Sequence, residues 1–328
     1  MSFLQRASAT AVVGVLLAGH AVGIALADDI EPPVGIAPIV GMTVQEGTDT
    51  LWLAGVDANE GVVTSSDGTR VRFSAEPQSV QALAWDDDRL WIGDIGDEAS
   101  SRDFVVVYRL ASVADDTSSY NAFDFEYEDG AQHATAMMIS GRGRIYIATA
   151  GDNPGIYRAP TEPSRQEVNT LERVADAPAG VTDGAFMNDG TTLVLRTATG
   201  LEYIDALTWE RAVTETLTGA PEGESVAVGA DDVVYVGGNP TIRTGAMPDA
   251  DVTTAVGENT SPEASPSTPA SAPASAASGT SSETTAPDSG ATVQPPSSSG
   301  PGRTGTLIAV LAAGVLALAA GAFVAIRR

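Results

Sequence analysis

The residue types with the clearest potential for chemistry lie in the stretch LWIGDIGDEASSRDFVVVYRL, residues 90–110. Here an aromatic strand runs into a loop that carries Asp94, Asp97 and Glu98, and a β-branched strand follows. Carboxylate oxygens clustered on a loop suit Ca²⁺ or another divalent cation, although the spacing is not that of an EF-hand. The alternative is a tight turn, in which the loop glycines adopt positive φ and the aspartates cap backbone amides.

A second set of polar side chains comprises Gln81, His133, Thr135, Asp183 and Glu224. Four of them stand about ten or eleven residues before the anchor of a recurring strand pattern, and His133 is close to Thr135. If those strands surround a common axis, the side chains converge on it and form a pocket for a small polar ligand or a cation. The alternative is a water-filled channel whose polar residues are merely hydrated.

The elements that would position these residues are repeated hairpins. Five stretches each consist of an apolar strand, a polar turn and a second apolar strand. They are GMTVQEGTDTLWLAGVD, VQALAWDDDRLWIGD, ATAMMISGRGRIYIAT, TDGAFMNDGTTLVLRT and ESVAVGADDVVYVGG. Most are followed by third and fourth strand candidates, such as FVVVYRL and AFDFEYE.

These hairpins predict an all-β fold of the β-propeller type. Their anchors, Trp52, Trp91, Tyr146, Val194 and Tyr235, recur at intervals of about 40 to 55 residues, the period of four-stranded blades. We expect five blades, with six possible, and a β-sandwich is the alternative fold. The fifth copy lacks an outer strand, and the N-terminal EPPVGIA could supply it and close the ring.

Several of these motifs resemble an uncharacterised group of secreted or membrane-anchored actinobacterial β-propeller proteins that are WD40-like. The resemblance rests on WIGDIGDE, SSRDFVVVYR, IYIATAGDNPGIYRAP, VTDGAFMNDGTTLVLRT and GESVAV, over roughly residues 80–240. Glu98 departs from the group's pattern, where Asn is typical, and so does QHATAM, where an acidic stretch is typical. The resemblance implies the fold and an extracytoplasmic location, and it implies no activity.

The two ends of the chain predict export and membrane attachment. Residues 1–27 read as a secretory signal that ends in a small-x-small site, and the alternative is an uncleaved anchor helix. The propeller ectodomain is then expected over residues 28–247. Residues 248–303 are rich in Ser, Thr, Pro and Ala and are predicted to be a disordered stalk. Residues 304–326 predict a transmembrane helix, with residues 327–328 as a cytoplasmic tail.

The amino-acid composition excludes some kinds of ligand and of catalytic chemistry. The 328-residue chain carries 43 acidic and 17 basic side chains, with a formal net charge of −26, which disfavours nucleic acid and favours cationic partners. It contains no Cys, so disulfides and thiolate chemistry are excluded. Arg109, Arg158 and Arg196 could bind an anion, but with this surplus of acid we expect them to be ion-paired between blades.

The sequence therefore predicts a single-pass protein of the cell membrane with an extracellular ectodomain. The favoured function is a non-enzymatic binding module for an extracellular protein or a small polar or cationic ligand. The alternative is a metal-dependent extracellular hydrolase, lactonase-like or esterase-like, in which Asp183, Glu224 and His133 surround a channel cation. Ca²⁺ or another divalent cation is the one cofactor that these acids suit.

Overall fold

The computed structural model describes residues 29–256, which form an all-β protein of propeller architecture. The predicted leader (1–27) and membrane span (304–326), and all of the predicted stalk beyond residue 256, lie outside the described residues. Between residues 29 and 256, no helix has the length and apolar character needed to cross a bilayer. Helical structure in this part of the chain is confined to two short 3-10 turns, Ala58–Glu60 and Ala230–Asp232.

The strands fall into five consecutive sets, each called a unit below. Unit 1 contains β1 (Gly41–Val44), β2 (Leu51–Ala54), β3 (Val62–Ser65) and β4 (Arg70–Phe73). Unit 2 contains β5 (Val80–Asp86), β6 (Arg89–Asp94), β7 (Val105–Leu110), the two-residue β8 (Thr117–Ser118) in a connecting loop, and β9 (Tyr120–Tyr127). Unit 3 contains β10 (Ala134–Ile139), β11 (Ile145–Thr149), β12 (Gly155–Arg158) and β13 (Asn169–Asp176).

The last two units continue the pattern. Unit 4 contains β14 (Val181–Phe186), β15 (Thr192–Thr197), β16 (Gly200–Asp205) and β17 (Arg211–Thr218). Unit 5 contains β18 (Ser225–Val228), β19 (Val234–Gly237) and β20 (Ile242–Gly245), and the chain then adds β21 (Val252–Ala255). All five predicted hairpins are present, and the predicted third and fourth strands follow them.

Local sequence explains the hairpins. Their strands alternate or concentrate β-branched and aromatic residues, and their turns carry residues that tolerate positive φ. In the turn between β5 and β6, Asp87 and Asp88 have φ of 51° and 55°. Aspartate accepts this left-handed conformation more readily than most residues, so the predicted DDD turn forms as the pattern requires.

The first strands of the units contact one another in a closed cycle. β1 contacts β5, β5 contacts β10, β10 contacts β14, β14 contacts β18, and β18 contacts β1. At Gly41 the first two of these strands approach so closely that an added Cβ would lie 2.6 Å from the Cα of Ala82. A glycine is therefore required at this position.

A separate hydrophobic cluster fills the space between each pair of neighbouring units. Trp91 and Met137 belong to the cluster between units 2 and 3, while Trp52 and Phe73 belong to the cluster between units 1 and 2. Both tryptophans, which anchor the sequence repeat, therefore pack between units. Because each unit buries its two faces against its neighbours, the core is divided into wedges around the cycle.

Parallel pairing covers the outer edges, which the sequence patterns did not predict. β8 pairs with β4, β13 pairs with β9, and β21 pairs with β17, all in parallel. The predicted domain boundary at residue 247 is therefore too early, because residues 252–255 form a strand. Two side-chain contacts secure it: the backbone N–H of Thr214 donates to Asp251 Oδ1 at 2.9 Å, and Thr254 Oγ1 donates to Glu215 Oε1 at 2.6 Å.

The N-terminal segment covers the edge of unit 5. Ile30 bridges Ile242 of β20, with N–H to O distances of 2.7 and 2.9 Å in the two directions. The predicted closure by the N-terminal chain is thus present. It is made by the residue directly before EPPVGIA rather than by that stretch itself.

Candidate functional site

Asp94, the first acid of the predicted metal loop, is buried in an ion pair with Arg102. The guanidinium donates from Nη1 to Asp94 Oδ1 at 2.9 Å and from Nη2 to Oδ2 at 3.2 Å. The backbone N–H of Ser79 also donates to Oδ1 at 2.8 Å. Both carboxylate oxygens therefore have protein donors, and a metal ion would have to compete with a bidentate guanidinium for them.

Asp97 caps the turn of the same loop, and Glu98 is exposed. Asp97 Oδ2 accepts hydrogen bonds from the backbone N–H groups of Ser101 and Arg102 at 2.7 and 2.8 Å, while its own N–H donates to His133 Nδ1 at 3.0 Å. Among residues 29–256, no three His, Cys, Asp or Glu side chains form a group suited to a metal ion. The capping by Asp97 fits the turn interpretation of this loop, and the geometry lends no support to the predicted metal role. The predicted positive φ at the loop glycines is wrong, because neither Gly93 nor Gly96 adopts it, and Gly96 instead leaves room for the side chain of Ser79.

The predicted channel residues Gln81 and Thr135 lie at bulges near the start of β5 and β10. Thr135 donates from Oγ1 to the carbonyl oxygen of Val181 at 2.7 Å, which joins units 3 and 4. Gln81 donates from Nε2 to Ser79 Oγ at 2.9 Å. Both side chains therefore bond to neighbouring segments of the chain.

The contact made by Thr135 recurs further around the cycle. Thr182 Oγ1 donates to the carbonyl of Glu224 at 2.7 Å, and Ser225 Oγ donates to the carbonyl of Ile39 at 3.1 Å. Each hydroxyl ties the start of one first strand to the beginning of the next unit. The equivalents of Thr135 are thus Thr182 and Ser225, and each is adjacent to the acid that the repeat alignment selects.

Asp183 is completely buried where three first strands meet. Its oxygens accept hydrogen bonds from the backbone N–H of Gly184 at 2.9 Å and of Val226 at 3.0 Å, and the N–H of Met42 also donates to it. Burial raises the pKa of Asp183 well above its ordinary value, and the three backbone hydrogen bonds oppose that rise. Asp183 therefore ties β14, β18 and β1 together.

Glu224 is completely buried between two arginines. Arg196 donates from Nη2 to Oε2 at 3.0 Å, and Arg243 donates from Nη2 to Oε1 at 2.7 Å and to Oε2 at 2.6 Å. The Nη atoms of Arg196 also donate to three backbone carbonyls, those of Thr197, Gly200 and Pro221. The predicted pairing of Arg196 between units is confirmed, and both oxygens of Glu224 accept from guanidinium groups, with which a cation would have to compete.

Arg158 and Arg109 do not form the predicted ion pairs between units. Arg158 pairs with Glu172 at 3.0 Å, but the two residues belong to the same unit. Arg109 stacks instead on aromatic rings, with its guanidinium carbon 5.3 Å from the centre of Trp91. A cation over an aromatic face gains electrostatic attraction without a carboxylate partner.

A cavity of about 730 Å³ lies at the opposite end of the first strands. It is lined by the later residues of β1, β5, β10, β14 and β18 and by the turns after them. The predicted channel residues Gln81, His133, Thr135, Asp183 and Glu224 do not line it. In β5, Gln81 is the second residue, and Leu83 is the first that lines the cavity. In β14, Asp183 directly precedes Gly184, which lines it. The predicted site therefore lies towards the start of the same strands, next to the cavity lining.

The axial cavity has a mixed polar and apolar lining, and its rim is acidic. Four partly exposed hydrophobic side chains contribute to the wall: Trp85, Ile139, Phe186 and Val228. Three carboxylates, those of Glu46, Asp49 and Asp86, contribute to the lining, and no arginine does. Its size is within the range of roughly 300–1,000 Å³ that small-ligand pockets occupy.

The environment of Asp86 is unfavourable for its charge. Partial burial raises the pKa of Asp86, and the neighbouring carboxylates of Asp87 and Glu46 add to the rise, whereas Arg109 opposes it. A positive charge entering the cavity would relieve part of this penalty. In the sequence these acids are typical of turns and do not stand out as a site. The signal that indicates a shared site is that the hairpin turns of successive blades lie on one rim.

The fold and the cavity together define the class: a β-propeller with an acidic axial pocket at the hairpin-turn end of its first strands. No protein-family model matches the chain, and no curated protein matches it. Solved structures that resemble it are β-propeller-like proteins.

Three of these structures illustrate the likeness. A streptogramin B lyase has 13% identity and a TM-score of 0.40, with 70% of this chain and 76% of that chain covered. A gluconolactonase from Xanthomonas campestris has 13% identity and a TM-score of 0.42, with 62% and 71% covered. A virginiamycin B lyase from Staphylococcus aureus has 13% identity and a TM-score of 0.38, with 70% and 78% covered. At this distance the likeness concerns architecture alone.

Proposed function

We propose that this protein is a five-bladed β-propeller that acts as a binding module and holds a small ligand in the axial cavity. The blade number is supported by the closed cycle of five first strands and by the cluster between each neighbouring pair. The observation that carries the function is the cavity itself, because all five first strands contribute to it. A pocket built by every blade is rigid and preformed, which lowers the entropic cost of binding.

The location follows from the sequence predictions. The leader at 1–27, the tract at 248–303 and the span at 304–326 would display the propeller outside the cell on a flexible tether, now shortened by β21. Protease treatment of intact cells tests this arrangement. Loss of the propeller from the cell surface supports it, and full protection in cells that remain sealed contradicts it.

Binding is tested with the full-length chain in a neutral detergent and three probes: benzyltrimethylammonium, benzyl alcohol and benzenesulfonate. A probe that binds the folded state raises the melting temperature, and the shift grows with the ratio of the probe concentration to its dissociation constant. The cavity-filling variants Thr43→Trp and Ala185→Trp should abolish the shift, since both residues line the cavity. Val168→Trp is the control, because Val168 is 45% exposed and lies outside the cavity.

Two results would contradict the proposal. One is that none of the three probes shifts the melting temperature. The other is that every shift survives in both filled variants, which would place binding elsewhere on the protein. Two different filled variants are used so that a folding defect in one leaves the other to decide.

The metal-dependent hydrolase is tested in the same melts with EDTA and with added Ca²⁺ or Mg²⁺. Its predicted ligands Asp183 and Glu224 are already bonded to backbone amides and guanidinium groups, so a cation would have to displace them. A metal-dependent shift that Asp183→Asn or Glu224→Gln removes would favour the hydrolase over the binding module. Absence of any metal effect leaves that mechanism without its cofactor.

A further inference from the structure

The charge of the axial cavity has one sign. Glu46 and Asp49 lie on the turn between β1 and β2, and Asp86 ends β5, so two adjacent units supply the three carboxylates. Within residues 29–256 none of the three carboxylates belongs to an ion pair. By contrast, the buried carboxylates of Asp94 and Glu224 are paired with arginine. The cavity is therefore a place where negative charge is left uncompensated.

Aromatic and aliphatic surface adjoins these carboxylates. Trp85 directly precedes Asp86, and both line the cavity. Phe186 lines it from unit 4, where its ring packs against Tyr146 with centroids 5.5 Å apart. Aromatic faces attract cations, and the attraction is larger where water is partly excluded. Carboxylates and aromatic side chains in the lining of one cavity are thus two features that favour the same ligand charge.

We infer that the axial cavity recognises an organic cation with an apolar body, such as an alkylammonium or guanidinium compound. This inference rests on the proposed function, because it names the class of ligand that the cavity holds. The apolar body would contact Trp85, Ile139 and Phe186, and the positive head would lie towards Glu46 and Asp86.

Other ligand classes fit the cavity less well. An anion would be repelled by the three carboxylates, and the net charge of −26 adds to that repulsion. A bare divalent cation requires about six oxygen ligands, and in the part of the chain that the structure describes no three His, Cys, Asp or Glu side chains form a group suited to one. A neutral ligand could contact the apolar side chains but would gain no charge–charge attraction from the carboxylates of the rim.

The pKa of Asp86 supports the same conclusion. Burial and the carboxylates of Asp87 and Glu46 raise it, and Arg109 is the one cation that opposes the rise. A ligand cation near Asp86 would stabilise the charged form. Binding should therefore weaken as the pH falls and the carboxylate takes up a proton, beginning at a higher pH than for an ordinary aspartate.

The experiment compares the three probes by calorimetric titration of the full-length chain. Benzyltrimethylammonium should bind at least about tenfold more tightly than benzyl alcohol, and benzenesulfonate should bind least. Glu46→Gln and Asp86→Asn should each lower the affinity for the cation about fivefold and leave the affinity for benzyl alcohol unchanged. Raising the salt concentration should lower the affinity for the cation and leave the affinity for benzyl alcohol unchanged.

Glu98→Gln is the matched control, since it removes the same charge from an exposed position on the loop after β6, away from the cavity. It should leave the affinity for the cation within about twofold of wild type. An equal loss in all three variants would mean that the overall charge attracts the probe, and it would overturn the inference. Displacement of benzyltrimethylammonium by micromolar Ca²⁺, sensitive to Asp86→Asn, would overturn it too, because the cavity would then be a metal site.

The inference and the proposed function fail in different ways. If benzyl alcohol binds as tightly as the cation, and Thr43→Trp abolishes both, the cavity binds ligands but does not select for charge. If no probe binds, or if the filled variants bind all of them normally, the proposed function itself fails.

Discussion

Arg196 and Glu224 are 28 residues apart in the chain, yet they form a fully buried ion pair with Nη2 and Oε2 3.0 Å apart. The pair joins the second strand of unit 4 to the residue directly before the first strand of unit 5. Arg243 completes it from β20. A network of this kind fixes the position of one unit against the next, and removing one member leaves charge buried without a partner.

Replacing the carboxylate in this network should be severely destabilising. Glu224→Gln leaves two guanidinium groups facing an amide, and we expect the free energy of unfolding to fall by about 3–5 kcal/mol. Glu172→Gln is the control, because its pair with Arg158 is 61% and 35% exposed and should contribute about 1 kcal/mol or less. Urea denaturation measures both, and a similar small effect in the two variants would show that the buried network is dispensable.

Removing the carboxylate of Asp183 should weaken the contacts among three first strands at once. Asp183→Ala leaves the amides of Gly184 and Val226 without their acceptor, at a cost of roughly 1–3 kcal/mol for each. Asp183→Asn keeps one acceptor oxygen and should lose less. The order of the two variants in urea denaturation checks this, and a more stable alanine variant would contradict the anchoring role.

The pH dependence of stability should carry the signature of Asp183. Because burial raises its pKa in the folded state, the folded protein binds a proton more readily than the unfolded chain. The free energy of unfolding of the wild type, relative to Asp183→Asn, should therefore rise as the pH falls from the raised pKa towards the ordinary aspartate value. Urea midpoints of both proteins across acid pH test this, and a difference that falls with decreasing pH would refute the sign.

The hydroxyl contacts between units should each contribute separately. Thr135→Val and Thr182→Val each remove the donor to a carbonyl of the next unit, and we expect a loss of roughly 1–3 kcal/mol for each. Thr170→Val serves as the control, since its hydroxyl makes only an exposed contact of 3.4 Å with Glu126. Thermal melts that rank Thr170→Val with the other two would rule out a structural role for these contacts.

Crowding at Gly41 gives a test of the cycle of first strands. A methyl group there would meet the backbone of Ala82, so Gly41→Ala should force the two strands apart and cost about 1–3 kcal/mol. Gly245→Ala is the matched control, because nothing lies within 4 Å of its added Cβ. Thermal unfolding of the two variants provides the comparison. Equal melting temperatures would mean that β1 and β5 leave room for a methyl group at Gly41, contrary to the structure.

The sequence predicted the hairpins well because each one depends on local information. In β5 and β6, apolar alternation and a turn of aspartates lie within fifteen residues, so the pairing partner is the nearest strand. β21 was missed because VTTA has no apolar alternation of its own and depends on β17, a distant partner. The hydrogen bonds from Thr214 to Asp251 and from Thr254 to Glu215, which join the two segments, form only after the chain has folded.

The position of the candidate site was harder to predict. Counting back from an anchor on the second strand assumes turns of equal length, but Ile139 pairs with Ile145 in unit 3, whereas Phe186 pairs with Leu193, one residue further on, in unit 4. A longer turn shifts the register, so Asp183 was aligned with Thr135 although Thr182 makes the equivalent contact. Composition could not show which end of the first strands was open, since both ends carry acids.

The parallel pairing of β21 with β17 has a mechanical consequence. If the chain is tethered beyond residue 256, any pull on that end reaches the four-residue β21 before it reaches any blade. Detaching that strand frees four more residues of slack and bares the outer edge of β17, while every first strand stays in place. Under load β21 would thus yield first and leave the cycle of first strands intact.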